Sequence, residues 1–226
     1  TLPDPARLHA ALVAAAGLGL RANAAGDELT LNPDDESALR WLETNPPERI
    51  LWPPHRKVAA APRIAYRNEG VVVKEVGVIK EKVVGRHHSD ASALAGPVTW
   101  EWPSMPPKVV DTLRELCPEV PSMGETTSPV RLRIAVVDTS PSHESDTEKW
   151  VLDRNPASLD PAGLDVRVPH VGRTSALIEA HAASRKGPPR LSQDGHAWTA
   201  YPAPSPVTPV GLRRAAYVPE CPPVPE

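Results

Sequence analysis

Phenylalanine is absent from this chain, and its aromatic residues are six Trp and three Tyr among 226 residues. A core built from it must rest on aliphatic side chains and on the indoles. Cysteine is almost as scarce: Cys117 and Cys221 stand far apart, one after a helix-like run and one in a proline-rich tail. That excludes a disulfide framework and a CxxC metal pair, and it fits a reducing cytoplasm. No apolar run approaches membrane-spanning length and no signal segment stands at the start. Neither GxGxxG, nor a Walker loop, nor a Ser–His–Asp pattern occurs, so no cofactor is expected.

Proline is in excess, at 29 residues, which favours short elements joined by extended connections. The net charge of −3 argues against a surface coated throughout for nucleic acid, but the charge is unevenly spread. Residues 1–48 carry three Arg against eight acids, whereas residues 49–90 carry nine Lys and Arg against four acids, with three His besides. One basic segment within an acidic chain points to a local anion site.

"DPARLHAALVAAA" starts a helix at the capping Asp4 with Pro5 in the first turn, and Leu8, Leu12, Val13 and Ala16 form its stripe. "NPDDESALRWLET" repeats that opening with Asn32, Pro33 and three acids that suit the helix dipole. "VAAAPRIAYR" and "GVVVKEVGVIKEKVVG" read as extended segments, followed by a polar stretch without periodicity, "RHHSDASALAG". "PVTWEWP" is a short strand, and "PPKVVDTLREL" a helix stopped by Pro118. Residues 130–138 alternate Val130, Leu132, Ile134 and Val136 against Arg131 and Arg133, the pattern of a half-buried strand. "GLDVRVP" reads as a strand, "GRTSALIEAHAASRK" as a helix and "HAWTAY" as a strand. With one strand added ahead of the first helix, the order becomes β-α-β-β-α-β. The expected fold is therefore α+β, a ferredoxin-like (RNA-recognition-motif-like) core with an extended hairpin and its first strand outside this sequence. The expected domain is 1–201, followed by a proline-rich linker at 202–226 that leads toward a second domain; eight of those 25 residues are proline.

Candidate residues follow from charge and position. Arg131 and Arg133 mark either a solvated outer face or a sheet surface that holds an anion. The loop "SMGETTSPV" is either a phosphate cradle, with Thr126, Thr127 and Ser128, or a plain turn in which Gly124 supplies positive φ. Arg173 precedes a helix whose amino end suits an anion, or it is simply an exposed residue at a cap. Adjacent His87 and His88 lack the further ligands a metal site needs. As positioned imidazoles, they and His9 are the candidates for metal-independent RNA cleavage.

Five stretches, "PDPARLHAALVAAAG", "ALRWLETNPPERI", "VTWEWP", "PSMGETTSPVRLRI" and "VRVPHVGRTSALIEAHAA", resemble, in order, signatures of one CRISPR-associated family. That family is the fused five–six subunit of the type I-G (formerly I-U) Cascade effector, within the repeat-associated mysterious protein superfamily. The resemblance covers roughly residues 3 to 200. It implies a chain corresponding to the handle-binding half, which grips the 5′ handle of the guide RNA (crRNA) and caps the backbone filament in antiviral defence. It assigns cleavage of the repeat transcript to the C-terminal endoribonuclease half, so this half is expected not to be an enzyme; the alternative is an endoribonuclease using His9, His87 or His88. The implied partners are guide RNA, the backbone and large subunits of this ribonucleoprotein complex and, indirectly, target DNA, with no membrane. Lys74, Lys80, Lys82, Arg86, His87 and His88 would form the superfamily's thumb hairpin, with Arg63, Arg67, Arg131, Arg133 and Arg173 extending the RNA-binding surface.

Overall fold

A computed structural model of the chain describes residues 4–25, 28–58, 64–75, 78–87, 91–124, 128–135, 147–154, 163–185, 190–191, 197–199 and 211–220. It is a mixed α+β structure with antiparallel sheets. In chain order the elements are α1 (Pro5–Leu18), β1 (Asn23–Ala25), β2 (Glu28–Thr30), α2 (Pro33–Thr44), β3 (Arg49–Trp52), β4 (His55–Val58), β5 (Ile64–Glu75) and β6 (Val78–His87). Then come β7 (Ala91–Leu94), β8 (Thr99–Glu101), α3 (Pro107–Leu116), β9 (Glu148–Leu152), β10 (Leu164–Pro169), α4 (Arg173–Arg185), β11 (Arg190–Leu191), β12 (Ala197–Thr199) and β13 (Leu212–Pro219).

The helices begin where the sequence places caps. Asp4 accepts the Arg7 amide at 2.8 Å with Pro5 next in line, and Asn32 accepts the Asp34 amide at 2.9 Å ahead of an acidic first turn. The chain divides into two compact units. The first comprises Thr1–Pro54, Leu94–Ile178 and Pro209–Glu226; the second comprises His55–Ala93 and Glu179–Thr208.

In the first unit, α1, α2 and α3 enclose a core around Leu12, Leu39, Leu42, Leu113 and Leu116, with Trp41, Trp100 and Trp102 packed at its margin. With no phenylalanine in the chain, the buried centre is aliphatic and these indoles lie at its edge. The sheet of this unit has the order β10-β13-β9-β3-β8. Ile50, Val166, Val168 and Tyr217 form its buried cluster. Loop residues are tied in by charge: Arg21 grips the fully buried Asp35 with contacts of 2.7 to 3.0 Å and also reaches Glu115, joining the segment after α1 to α2 and α3. In the second unit β5 and β6 form a long hairpin extended by β12 and β11.

Three expectations are corrected. Residues 212–219 are not linker: β13 pairs with β10 on one side and β9 on the other, and only what flanks it is rich in proline. Pro219, the last residue of the strand, is its one proline, at an end where a missing ladder donor is tolerated. Residues 130–135 form no strand and join no ladder. Val130, Leu132 and Ile134 do pack against the helical core while Arg131 and Arg133 are exposed, so the alternation reported burial and not pairing. Residues 136–138 lie outside the described residues. The polar stretch after β6 also contains a strand, β7, which pairs with β4.

Tyr217 tests the place of β13. It is fully buried, its hydroxyl donates to the Pro47 carbonyl at 2.8 Å, and burial pushes its phenol well above the ordinary range. Chemical denaturation of Tyr217→Ala is expected to show a loss of about 3–5 kcal/mol. Tyr217→Phe, which leaves the carbonyl unpaired, should lose about 1 kcal/mol. A residue in a linker would give no loss in either variant.

Candidate nucleic-acid interface

The basic segment folds as the β5–β6 hairpin, paired from Ile64↔His87 to Glu75↔Val78 with an irregularity between Asn68 and Val72. Alternation along β6 puts positions 80, 82, 84 and 86 on one side of the ladder. Ala65 stands opposite Arg86 and Arg67 opposite Val84, so position 67 falls on the same side despite the irregularity. Positions 67, 80, 82 and 86 therefore share one side. Lys74, opposite Ile79, and His87, opposite Ile64, take positions on the other. Arg63 and His88 lie outside the described residues.

The other candidates are dispersed. Arg131 and Arg133 are exposed along the unpaired segment 130–135. Of the loop before it, Thr126 and Thr127 lie outside the described residues. What is described closes as a turn: Gly124 has φ 94°, the Met123 amide donates to the Ser128 carbonyl at 3.1 Å, and the Val130 amide donates to the Pro121 carbonyl.

Arg173 opens α4, and its guanidinium is held below its ordinary range, first by burial and then by the charge of Arg167. The amino end of α4 already holds an anion, and it belongs to the chain. Glu43, 3% exposed, accepts the Gly172 amide at 3.0 Å and the Thr174 amide at 2.6 Å. Gly172, at φ 91°, turns the backbone so that both amides face one carboxylate. Carboxylate and helix dipole stabilise each other in a site closed to solvent.

His9 is part of the same buried cluster. It is 1% exposed, and its Nε2 lies 3.3 Å from both the Leu39 carbonyl and the Thr174 hydroxyl. Facing a carbonyl, Nε2 carries the proton of the neutral ring. Such burial keeps the imidazole away from any phosphodiester, and its work is packing. Burial pushes its pKa down to about 4, opposed by the charge of Glu43 and the Leu39 hydrogen bond and assisted by Arg173. Among the described residues no group of three or more His, Cys, Asp or Glu is arranged to hold a metal ion. Cys117 is buried, and desolvation pushes its thiol up to about 11, which makes it a core residue and not a nucleophile.

One concavity of the first unit carries residues that the sequence did not flag: Trp41, Trp102, Arg154 and Arg213 line a cleft of ≈ 260 Å³. They come from four separate stretches, so no local motif could have announced them. Comparison of the chain with protein-family models, with curated proteins and with solved structures returns no match.

The His9 cluster sets a pH dependence. The unfolded imidazole takes its proton near pH 6.5 and the folded one only near 4, so acidification favours the unfolded chain. Stability should be level above about pH 7 and should fall between 6.5 and 4 by about 3 kcal/mol from this residue. Urea melts across that range should show a shallower slope in His9→Leu than in the native chain. Equal slopes would mean that His9 titrates normally.

Proposed function

We propose that this chain is a non-catalytic RNA-binding subunit that holds the 5′ handle of a guide RNA and caps the filament of a type I CRISPR Cascade complex. The observation that carries the reading is the hairpin register, which gathers positions 67, 80, 82 and 86 on one side of a long two-stranded arm. An arm of that kind can lie along a single strand and neutralise successive phosphates. In chain order the hairpin is inserted between β3 and β8, which pair with each other. The order α1, β3, β8, α3 and then the alternating segment 130–135 supports the finer reading, a ferredoxin-like core with a thumb between its second and third strands. Arg131 and Arg133, exposed on that last segment, extend the basic surface. The burial of His9 leaves His87 and His88 as the imidazoles that a rival endoribonuclease would use.

Guide-RNA binding measured by fluorescence anisotropy over a salt series tests this reading. The triple variant Lys80→Ala, Lys82→Ala, Arg86→Ala should bind at least several-fold more weakly. Its log–log salt slope should flatten by roughly 0.7 for each phosphate of the single strand that is no longer neutralised. The control is Arg40→Ala with Arg114→Ala, whose guanidiniums are held by Glu36 and Asp111. Equal weakening in the control, with both variants folded, would move the RNA to another surface.

Activity separates the two readings further. Repeat RNA incubated with this chain and a chelator should remain uncut. Site-specific cleavage that vanishes on His87→Ala or His88→Ala would establish the endoribonuclease instead.

A further inference from the structure

The ≈ 260 Å³ cleft lies where the loop after α2, the turn after β8, the end of β9 and the start of β13 converge, all within the first unit. Asn45 links the two tryptophans, through the ring of Trp102 and the backbone of Trp41. The Trp102 ring N–H donates to the Asn45 carbonyl at 2.9 Å, while the Asn45 side-chain amide donates to the Trp41 carbonyl at 2.8 Å. Both indoles also pack against the margin of the helical core, which limits their freedom before any ligand arrives.

The charges of the cleft are Glu48, Arg154 and Arg213. Arg154 pairs with Glu48 at 2.7 Å, and Arg213 is exposed with no ion-pair partner among the described residues. Two guanidiniums against one carboxylate leave one positive charge, located on Arg213. A guanidinium presents a rigid fork of donors that matches two phosphate oxygens. The volume of ≈ 260 Å³ lies just below the roughly 300 Å³ at which sites for drug-sized ligands begin, so it suits a ligand no larger than a mononucleotide.

We infer that this cleft binds one nucleotide, its base against the indoles of Trp41 and Trp102 and its phosphate on Arg213. Stacking on aromatic faces tolerates any base, since every base has a π-face. The shared chemistry is a base with an adjoining phosphate, supplied either by a free mononucleotide or by an unstacked residue of an RNA strand. None of the hairpin residues lines the cleft.

AMP and adenosine are the probes, titrated into the full chain and followed by saturation-transfer NMR and calorimetry. AMP should bind saturably and several-fold more tightly than adenosine. Arg213→Ala should abolish that difference, and Trp41→Leu should weaken both ligands on the order of tenfold. If Trp41→Leu does not fold, Arg213→Ala alone decides, because its side chain is exposed. The triple hairpin variant should bind AMP as the native chain does. A short single-stranded oligoadenylate that displaces AMP identifies an RNA strand as the source, and failure to displace it identifies the free nucleotide. Absence of saturable AMP binding at millimolar concentration, or AMP binding unchanged in Arg213→Ala, overturns the inference.

Discussion

The two-sided ladder of β13 is the constraint on which the first unit depends. Leu212–Pro219 pairs with β10 through six residues and with β9 through three, and β9 in turn pairs with β3. Without β13, β10 has no hydrogen-bonded route to the rest of that sheet. Tyr217 sits at the junction, opposite Leu164 on one side and Leu152 on the other, with its hydroxyl on the Pro47 carbonyl. Gly211 allows the chain to enter this strand: it has φ 68°, and a side chain there would collide with the backbone of Arg173. The Gly211 carbonyl then accepts the His170 amide at 2.6 Å, which fixes the turn before α4.

Buried polar groups tie the helices to that sheet. Asp4 caps α1 and also holds Arg167 of β10 at 2.8 Å, so one carboxylate joins a helix end to an edge strand. Glu43 of α2 caps α4, and His9 of α1 lies against the same Thr174. Each carboxylate is satisfied by amides or a guanidinium, which is the condition for burying charge without a large cost. The open sheet face follows the same rule: Arg49 reaches Glu101 and Glu220, and Arg214 reaches Asp165. Most arginines of the first unit are therefore engaged with acids of their own chain. Arg213, Arg131 and Arg133, like Arg7, are exposed and without ion-pair partners among the described residues.

The division of charge and the division of structure coincide in the hairpin. The segment that is basic in sequence folds as the β5–β6 hairpin of the second unit, and its register sets positions 67, 80, 82 and 86 on one side and positions 74 and 87 on the other. The cleft of the first unit lies apart from this register, lined by Trp41, Trp102, Arg154 and Arg213.

What the sequence determined was local. The caps at Asp4 and Asn32, the prolines after them, the valine-rich hairpin and the basic run at 74–86 were all legible, because each rests on residues within a few positions of one another. The alternation at 130–135 correctly gave which side chains face inward. Whether an extended segment finds a ladder partner is a question about distant residues, and there the reading failed. β13 was hidden for the same reason, since proline-rich flanks masked a short strand whose only reason to form is the pair of strands on either side of it. The charge cluster of Glu43, His9 and the α4 amides, and the union of Trp41, Trp102, Arg154 and Arg213, join positions far apart in the chain. Only the tertiary structure could bring them together, because burial and close approach are properties of the packed fold and leave no periodic trace in the sequence.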